Sequence, residues 1–526
     1  MSASNGDSLP LGWAITRLSD VADINPRGPD HLPNDDDLVS FVPMAAVEAM
    51  SGRLNSDILR EWKTVKKGFT RFKEGDVLIA KITPCMENGK VALARNLHAG
   101  LGAGSTEFHV LRPTRVAESK FLMYYALQEQ FRKDARAKMT GTAGQLRVPA
   151  SFLEERVLEL PPVPEQRRIV GAIESYLTKL DAAVAALERV RANLKRYRAS
   201  VLKAAVEGRL VPTEADLARK EGRDFEPASM LLERILAERR RRWEESELAR
   251  LKAAGKPPKD DHWKSKYKEP VAPDTSTLPQ LPDGWCWTTV DQLAWSASYG
   301  SSARCAYDGR GEPVLRIPNV QNESISLDDL KFSVHPLGIV GGDALAPGDF
   351  LVIRTNGSRD LIARAAVVDR PFAPTHYFAS YLIRLRLVLE SPTWYWVLAV
   401  WHTREMRRRL EAEAATSAGQ YNIRLSSLTR RAVPLPPLRE QARINDALES
   451  ASSAVDAAAN TTGASMIRSN RLRQSILKWA FEGKLVDQDP NDESASVLLE
   501  RIRAERAAMP SRKSRKTSNH QTEAAK

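Results

Sequence analysis

The chain has 526 residues, 42% of them hydrophobic and 27% charged, and it carries a formal net charge of +12 with a pI near 9.5. This length exceeds one ordinary domain core, so two or more domains are expected, and the composition excludes a largely disordered protein. The basic balance makes nucleic acid the first partner to consider, because lysine and arginine side chains neutralise phosphates.

Neither membrane insertion nor secretion is expected. The longest apolar run, WYWVLAVW at Trp394–Trp401, is far shorter than the ~20 residues that cross a bilayer, and it predicts a buried helix. The opening MSASNGDSLP lacks the basic and apolar segments of a signal peptide. Cys85, Cys286 and Cys305 occur in no metal or redox spacing, which fits a reducing cytoplasm.

The first 160 residues mix predicted strands and helices. Alternating apolar residues predict a strand over Asp76–Ile82, and FLMYYALQEQFRKDARAKM predicts a helix over Phe121–Met139. The stretch GLGAG at Gly100–Gly104 lacks the strand and helix that flank a cofactor-binding turn, so it predicts a plain surface loop. A second predicted strand, Asp349–Ile353, lies in a later segment of similar character.

Two motifs in residues 160–211 recur near the end of the chain. LPPVPEQRRI begins at Leu160 and LPPLREQARI at Leu435, and they agree at seven of ten positions. SVLKAAVEGRLV begins at Ser200 and SILKWAFEGKLV at Ser475, with eight of twelve positions identical. Both pairs are 275 residues apart, so nothing is inserted between the motifs, as a continuous helix requires.

A third match pairs SMLLERILAERR at Ser229 with SVLLERIRAERA at Ser496, 267 residues apart, so a loop after Val211 differs in length between the copies. Fainter matches lie upstream: LPLGWAITRLSDVA at Leu9 with LPDGWCWTTVDQLA at Leu281, EGDVLIAKIT at Glu74 with PGDFLVIRTN at Pro347, and GTAGQLRV at Gly141 with TSAGQYNI at Thr416. The chain therefore contains two copies of one unit, each a variable segment followed by a better-matched one.

Each proline-rich motif is followed by apolar residues at steps of three and four, which predicts a long helix with a coiled-coil seam. The predicted seam positions are Ile169, Ile173, Tyr176, Leu180, Val184, Leu187, Val190, Leu194, Tyr197, Val201 and Ala205, then Ile444, Leu448, Ala451, Val455, Ala458, Thr462, Met466, Leu472, Ile476 and Ala480. Gly463 predicts a kink or looser packing. The preferred interpretation pairs the two helices antiparallel within one chain. In the alternatives, each packs on its own half or pairs with a second chain.

Three polar segments complete the pattern. Trp263–Pro282 is rich in proline and lysine and predicts a linker between the copies. The basic Ser511–Lys526 predicts a disordered tail. The charged run RILAERRRR at Arg234–Arg242 predicts a solvated or partner-facing helix.

The motifs of a nucleic-acid-modifying enzyme are missing from the sequence. It contains neither the Asn-Pro-Pro or Asp-Pro-Pro loop of an amino-methyltransferase nor a Walker A sequence. Pro273-Asp274 with Asp329-Leu330-Lys331 has the residue types of a nuclease, but the first pair lies in the predicted linker. The eight histidines show no metal-ligand spacing. The sequence therefore predicts recognition without catalysis and without a metal.

The two motif pairs, the LGW and DGW openings and the GDVLIAKITP block resemble the specificity (S) subunits of type I restriction-modification enzymes. The resemblance extends from about Leu9 to about Ala508. It implies an α+β chain with two α/β target-recognition domains separated by two long helices. The helices would pair as an antiparallel intramolecular coiled coil in a pseudo-twofold tandem repeat.

The predicted domain boundaries follow the repeat. They are a disordered N-terminus (1–8), a first target-recognition domain (9–160), a first helical spacer (161–250), a linker (251–280), a second target-recognition domain (281–434), a second helical spacer (435–508) and a disordered basic tail (509–526).

The resemblance also implies partners. Double-stranded DNA would be the direct ligand, with two methyltransferase subunits gripping the helices and two ATP-driven endonuclease subunits in the full complex. S-adenosylmethionine, ATP and Mg would serve those partners, with no cofactor bound by this chain. The setting would be a bacterial or archaeal cytoplasm, with no membrane involved. Because the two variable segments differ, the target should be bipartite and asymmetric.

Arginine or lysine recognises guanine, and asparagine or glutamine recognises adenine, from loops that face a DNA groove. The candidates lie beside matched blocks in glycine- or threonine-containing loops. They are Lys81, Asn88, Lys90, Thr142, Gln145 and Arg147 in the first domain, and Arg354, Asn356, Arg359, Arg364, Gln420, Tyr421 and Asn422 in the second. The alternative for each is an ordinary solvated loop residue.

Three other functions share some of these features. One is a specificity subunit of a type IIB or other multisubunit DNA-modification system, which the identity of the partner subunits would distinguish. Another is a coiled-coil scaffold, which salt-dependent, sequence-specific DNA binding would exclude. The third is a stand-alone enzyme, testable by assaying the purified chain with S-adenosylmethionine.

Overall fold

The structure, a computed structural model, describes residues 9–27, 32–142, 144–321, 323–337, 344–389, 391–417 and 419–508. The predicted disordered segments 1–8 and 509–526 lie outside the described residues. Within the described ranges, none of the helices has the length and apolar character needed to cross a membrane.

The described residues form fourteen α-helices, of which the sixth and thirteenth have 44 residues each. They are α1 (Leu18–Val21), α2 (Trp62–Val65), α3 (Ser119–Leu127), α4 (Glu129–Ala137), α5 (Ala150–Glu155), α6 (Val163–Val206), α7 (Glu214–Glu221), α8 (Ala228–Ala253), α9 (Val290–Leu293), α10 (Thr393–His402), α11 (Arg404–Glu413), α12 (Leu425–Thr429), α13 (Leu438–Phe481) and α14 (Ala495–Ala508).

The described strands are short. They are β1 (Ala14–Arg17), β2 (Ala22–Ile24), β3 (Leu38–Val42), β4 (Leu59–Glu61), β5 (Thr70–Lys73), β6 (Val77–Ala80), β7 (Val91–Leu93), β8 (Leu101–Gly104), β9 (Phe108–Pro113), β10 (Val157–Leu160), β11 (Cys286–Thr289), β12 (Ala294–Tyr299), β13 (Cys305–Ala306), β14 (Pro313–Leu315), β15 (Lys331–Ser333), β16 (Asp349–Ile353), β17 (Thr355–Asn356), β18 (Ala365–Val367), β19 (Tyr377–Phe378), β20 (Leu382–Leu387), β21 (Ala415–Ser417), β22 (Gln420–Asn422) and β23 (Ala432–Leu435).

The chain divides into two compact units. Unit 1 comprises Met1–Glu188 with Gly463–Lys526, and unit 2 comprises Arg189–Thr462. Each unit therefore contains a variable segment together with part of α6 and part of α13.

Unit 1 contains three sheets. An antiparallel sheet has the strand order β2-β9-β6-β7, and a mixed sheet has the order β4-β3-β8-β5 with β3 parallel to β8. A two-stranded sheet pairs β1 with β10, so the strand that opens the variable segment lies beside the strand that closes it. Since β10 ends at the proline-rich motif, this pairing brings the LGW opening close to the start of α6.

Unit 2 contains a matching set of sheets. The order β12-β20-β16-β18 is antiparallel, β11 pairs with β23, and the sheet β13-β15-β14-β19 contains one parallel pair. A further small sheet has the order β17-β22-β21. The predicted strand Asp349–Ile353 is confirmed as β16, and the predicted buried helix is confirmed as α10, whose Trp396 and Trp401 are fully buried.

The Glu-Gln pair of the repeated proline-rich motif ties each long helix to the opening of its variable segment. In unit 1 the Trp13 indole Nε1 donates to Glu165 Oε1 at 3.0 Å, and in unit 2 Trp285 Nε1 donates to Glu440 Oε1 at 2.9 Å. The amide of Gln441 donates to the Pro436 carbonyl at 2.8 Å. These buried contacts explain why the motif and the Gly-Trp opening recur together.

The second repeated motif packs against the variable segment of the other copy. In unit 1, Ile476 and Leu477 of SILKWAFEGKLV join the core built by residues 13–160, and in unit 2, Ala205 of SVLKAAVEGRLV joins the core that contains Ile444. Burying a side chain such as Leu477 contributes roughly 1.5–3 kcal/mol. Each unit therefore takes its core residues from both copies of the repeat.

The two long helices contact each other. Within unit 1, Arg473 of α13 pairs with Asp181 of α6. Arg168 Nη2 of α6 also donates, at 2.7 Å, to Asp492 in the segment that follows α13. Within unit 2, Arg198 Nη2 donates to Ser452 Oγ at 2.9 Å. Helix α13 is continuous through Gly463.

The predicted seam positions differ in burial. Ile169, Ile173, Leu180, Ile444, Val455 and Ile476 are buried, while Leu187, Leu194, Val201, Leu448 and Met466 are half-buried. Tyr176, Val190, Tyr197 and Leu472 are between 42% and 54% exposed. Leu177 and Leu477 are buried instead. The predicted positions were chosen by apolar character at steps of three and four. Such positions move gradually around the helix surface, because 3.6 residues per turn do not match a seven-residue repeat.

Two predictions for the first variable segment are wrong. The helix expected over Phe121–Met139 is two helices, because Gln128 has an extended backbone (φ −61°, ψ 142°) between α3 and α4. The stretch GLGAG contains the strand β8, not a surface loop, and a Cβ on Gly102 would lie 2.2 Å from the Phe72 ring. Glycine there permits close packing, which composition alone could not distinguish from a loop.

The predicted linker is held against unit 2. Beyond a 3₁₀ turn at Asp261–Lys266, the segment up to Pro282 has no regular structure. The Val271 N–H donates to Asp291 Oδ2 at 3.1 Å, and the Val271 carbonyl accepts from Thr289 Oγ1 at 2.7 Å. These bonds fasten the segment where the second variable segment begins.

Burial of Glu440 predicts a pH-dependent effect of its substitution. Desolvation raises the pKa of this carboxyl, although Trp285 and the Glu214 N–H donate to it. A raised carboxyl pKa contributes stability below the usual value of about 4.3, and that contribution is lost as pH rises through the folded-state pKa. Glu440→Gln loses one buried acceptor, so it should destabilise the chain by about 1–3 kcal/mol.

The deficit of Glu440→Gln relative to wild type should shrink as pH rises from 4 to 7, because only the wild-type side chain titrates. Denaturant unfolding of both proteins across this range measures it. Glu165→Gln, the counterpart in unit 1, should behave alike, since burial also raises the pKa of Glu165. A deficit that is constant with pH would contradict this account.

Candidate nucleic-acid interface

The two loops predicted to face DNA in unit 1 lie side by side. The Thr83 N–H donates to the Leu146 carbonyl at 2.9 Å, and the Val148 N–H donates to the Lys81 carbonyl at 2.9 Å. The loop after β6 is thus paired with the loop before α5. We call residues 81–90 and 140–148 loop pair 1; it contains all six candidates of the first domain.

Unit 2 has an equivalent arrangement at the end of β16. Strand β17 pairs antiparallel with β22, so Thr355 lies opposite Asn422 and Asn356 opposite Tyr421. The Ile423 N–H donates to the Arg354 carbonyl at 3.0 Å. We call residues 354–364 and 415–423 loop pair 2; it contains all seven candidates of the second domain.

Not every candidate side chain of loop pair 1 is available to a ligand. Arg147 makes a two-pronged ion pair with Glu107, with Nε–Oε2 and Nη2–Oε1 distances of 2.9 Å. The hydrogen bonds from Arg147 lower the pKa of Glu107. Lys90 Nζ donates to the Met44 carbonyl at 2.9 Å. Both residues support the loops.

The other candidates of loop pair 1 are more open. Asn88, Thr142 and Gln145 are exposed and Lys81 is half-buried. Their amide, hydroxyl and ammonium groups supply the donors and acceptors that a base edge or a phosphate requires.

Loop pair 2 differs in chemistry. The Arg354 guanidinium carbon lies 4.6 Å from the centre of the Tyr299 ring. Asn422 Oδ1 accepts from Thr355 Oγ1, and Asn356 Oδ1 accepts from the Ser358 N–H at 2.7 Å. The remaining candidates surround this sheet: Gln420 is exposed, Tyr421 and Arg364 are half-buried, and Arg359 donates to the Glu411 carbonyl at 3.3 Å.

Sequence reasoning missed three residues that support these loops: Glu107, His109 and Tyr299. His109 is buried, and its Nε2 lies 2.8 Å from the Val148 carbonyl while Nδ1 lies 3.0 Å from Asn25 Nδ2. Burial lowers the pKa of this imidazole, so the neutral ring is favoured. The one available signal was a histidine within the otherwise apolar run FHVL.

Within the described ranges, no group of three or more histidine, cysteine, aspartate or glutamate residues could hold a metal ion. The two loop pairs instead present amide, hydroxyl and cationic groups from equivalent positions in two units.

Comparisons with known proteins agree with this geometry. Residues 10–195 match the family model described as the type I restriction modification DNA specificity domain. The chain is 25% identical to the EcoKI specificity subunit of Escherichia coli strain K12, over 97% of this chain and 99% of that protein. The chain is therefore similar to type I specificity subunits along nearly its whole length.

Other type I specificity subunits match over much of their length. The EcoEI specificity subunit of Escherichia coli is 27% identical to this chain, over 84% of this chain and 78% of that protein. A chain from a structural study of complex assembly in a type I R-M system superposes with a TM-score of 0.58 at 22% identity, covering 91% of this chain and 100% of that one. The structural likeness concerns the fold. The function of a type I specificity subunit is DNA sequence recognition within a restriction-modification system.

Proposed function

We propose that this chain recognises a bipartite, asymmetric DNA site, with unit 1 binding one half and unit 2 the other. The carrying observation is that the two loop pairs occupy equivalent positions in their units but bear different side chains. Loop pair 1 offers the exposed amides Asn88 and Gln145, whereas loop pair 2 offers Arg354 beside an aromatic ring. Amides suit adenine and arginine suits guanine, so the half-sites should differ.

We further propose that α6 and α13 form an antiparallel coiled coil that sets the gap between the half-sites. Two contacts in unit 1 support this. Asp181 of α6 meets Arg473 of α13, and Arg168, nearer the start of α6, meets Asp492, which follows the end of α13, so the chain runs in opposite directions on the two sides. The equivalent strand orders β2-β9-β6-β7 and β12-β20-β16-β18 support a tandem repeat.

Catalysis in this proposal belongs to partner subunits. Two methyltransferase subunits would use S-adenosylmethionine to methylate adenine N6, and two endonuclease subunits would use ATP and Mg for cleavage. This chain would recognise the DNA sequence and would bind no cofactor.

Co-expression with its partner methyltransferase tests the proposal. Mapping N6-methyladenine in the host genome should give one split motif with a fixed gap and two different halves. A contiguous or palindromic motif would overturn the bipartite assignment. A stable complex without methylation and without sequence-specific binding would favour a scaffold instead.

Substitutions in loop pair 1 should separate recognition from support. Asn88→Ala and Gln145→Ala should each relax one position of one half-site, at about 1–3 kcal/mol for a lost base contact, with little effect on folding. Lys90→Ala removes the bond to the Met44 carbonyl and should reduce stability instead. Motif mapping and thermal unfolding of the three variants provide the comparison. An unchanged motif in both amide variants would show that the loops are misassigned.

A further inference from the structure

Arg354 of unit 2 lies over the ring of Tyr299, with its guanidinium carbon 4.6 Å from the ring centre. Arg386 pairs with Asp349 at 2.7 Å, Arg407 pairs with Glu411 at 2.9 Å, and Arg431 pairs with Glu413. Arg354, by contrast, has no ion pair with any carboxylate in the described part of the chain. Its guanidinium is thus a cation held by an aromatic face.

The backbone of Arg354 is fixed on both sides. Its N–H donates to the Tyr381 carbonyl at 2.8 Å, and its carbonyl accepts from the Ile423 N–H at 3.0 Å. Tyr299, at the end of β12, is 48% exposed, so the ring lies at the surface. The side chain therefore begins at a rigid point and is held against an exposed ring.

Stacking and base recognition use different parts of a guanidinium. The guanidinium carbon of Arg354 lies over the ring of Tyr299, where the cation–π attraction acts. The N–H donors lie in the plane of the group and point outward from its edge. Two of these parallel donors match O6 and N7 of guanine, which the major groove exposes. An arginine stacked on one face keeps this edge free and loses less conformational freedom on binding.

We propose that Arg354 recognises a guanine in the half-site bound by unit 2, and that Tyr299 is the positioning residue that orients it. This inference rests on the proposed function and assigns to one half-site a base that no family resemblance specifies. Lysine at 354 would keep the charge but neither the two-pronged donor edge nor the flat stacking face.

The test uses the full chain with its methyltransferase and four variants: Arg354→Ala, Arg354→Lys, Tyr299→Leu and Tyr299→Phe. Methylation motifs are mapped, and the purified complexes are titrated with duplexes that carry each base at the assigned position. Arg354→Ala should lose about 10- to 100-fold of the preference for guanine at one position, and Arg354→Lys should lose most of it. Tyr299→Leu should lose about 3- to 10-fold at the same position, while Tyr299→Phe, which keeps the ring, should match wild type.

A control separates base recognition from general loss of charge. Arg409 lies on the exposed face of α11 and pairs with Glu405 at 2.8 Å, so Arg409→Ala should leave the motif unchanged. If Arg354→Ala weakens binding to all sequences alike, it contacts a phosphate and the proposal is wrong. If Tyr299→Leu retains full guanine preference, the positioning role is wrong. A wild-type complex with no split motif would instead refute the proposed function itself, and thermal unfolding shows whether any variant fails to fold.

Discussion

Gly483→Ala should destabilise the chain by about 2–4 kcal/mol, because it combines a strained backbone with a steric clash. Gly483 has φ +68°, in the left-handed region, and a Cβ there would lie 2.6 Å from Cγ of Pro10. Because the proline ring is rigid, either the helix end or the Leu-Pro opening must move. The equivalent Gly208 has φ +67° and a Cβ position 2.4 Å from Cγ of Pro282, so Gly208→Ala should cost a similar amount.

Gly222→Ala is the matched control. Gly222 also has a left-handed backbone, with φ +64°, but no atom lies within 4 Å of its Cβ position. It should cost about 1 kcal/mol from backbone strain alone. Chemical unfolding of the three variants measures the difference. Equal losses in all three would contradict the view that the second repeated motif docks tightly on the proline of the opening segment.

Asp349→Ala should destabilise the chain by about 3–5 kcal/mol, because it leaves the Arg386 guanidinium without its carboxylate in the interior. Asp349 is fully buried, and its two oxygens accept from Arg386 Nε at 2.7 Å and Nη2 at 3.0 Å. The same pair occurs in unit 1, where Asp76 accepts from Arg112 at 2.9 and 2.8 Å. These aspartates are the Asp of the repeated Gly-Asp block.

An exposed ion pair provides the comparison for Asp349. Glu405 and Arg409 are 2.8 Å apart on α11, but both side chains are more than half exposed. Glu405→Ala should therefore cost under about 1 kcal/mol. Unfolding in denaturant tests both. If Asp349→Ala were as mild as Glu405→Ala, the buried pair would not hold β16 against β20, and loop pair 2 would lack the support described above.

The repeat predicted the long helices well. The LPPxxEQ and EGxLV motifs are equally spaced in the two copies, which indicates a continuous element with no insertion between them. It also led to both sets of loop residues, since each set adjoins a matched block. The exposure of Tyr176 and the break at Gln128 could not be predicted, because apolar character and helix propensity do not say which face a neighbour covers. Arg147 was predicted to bind DNA because of its guanidinium, but that group forms an ion pair with Glu107, which is distant in sequence.

The contact between Tyr299 and Arg354 also could not be predicted from the sequence. Tyr299 lies 55 positions before Arg354, at the end of a different strand. The sequence around either residue does not indicate that the two are in contact. Strand pairing between β12 and β20 and between β16 and β20 brings the two together. Contacts that depend on sheet order become visible only in the folded chain.

Exchange of one variable segment tests whether each unit binds one half-site. Residues 9–160 are replaced by the corresponding segment of a type I specificity subunit, and N6-methyladenine is mapped in cells that also express the methyltransferase. We expect a split motif in which one half changes while the other half and the gap length remain. A motif that changes in both halves, or in neither, would contradict the assignment of one half-site to each unit.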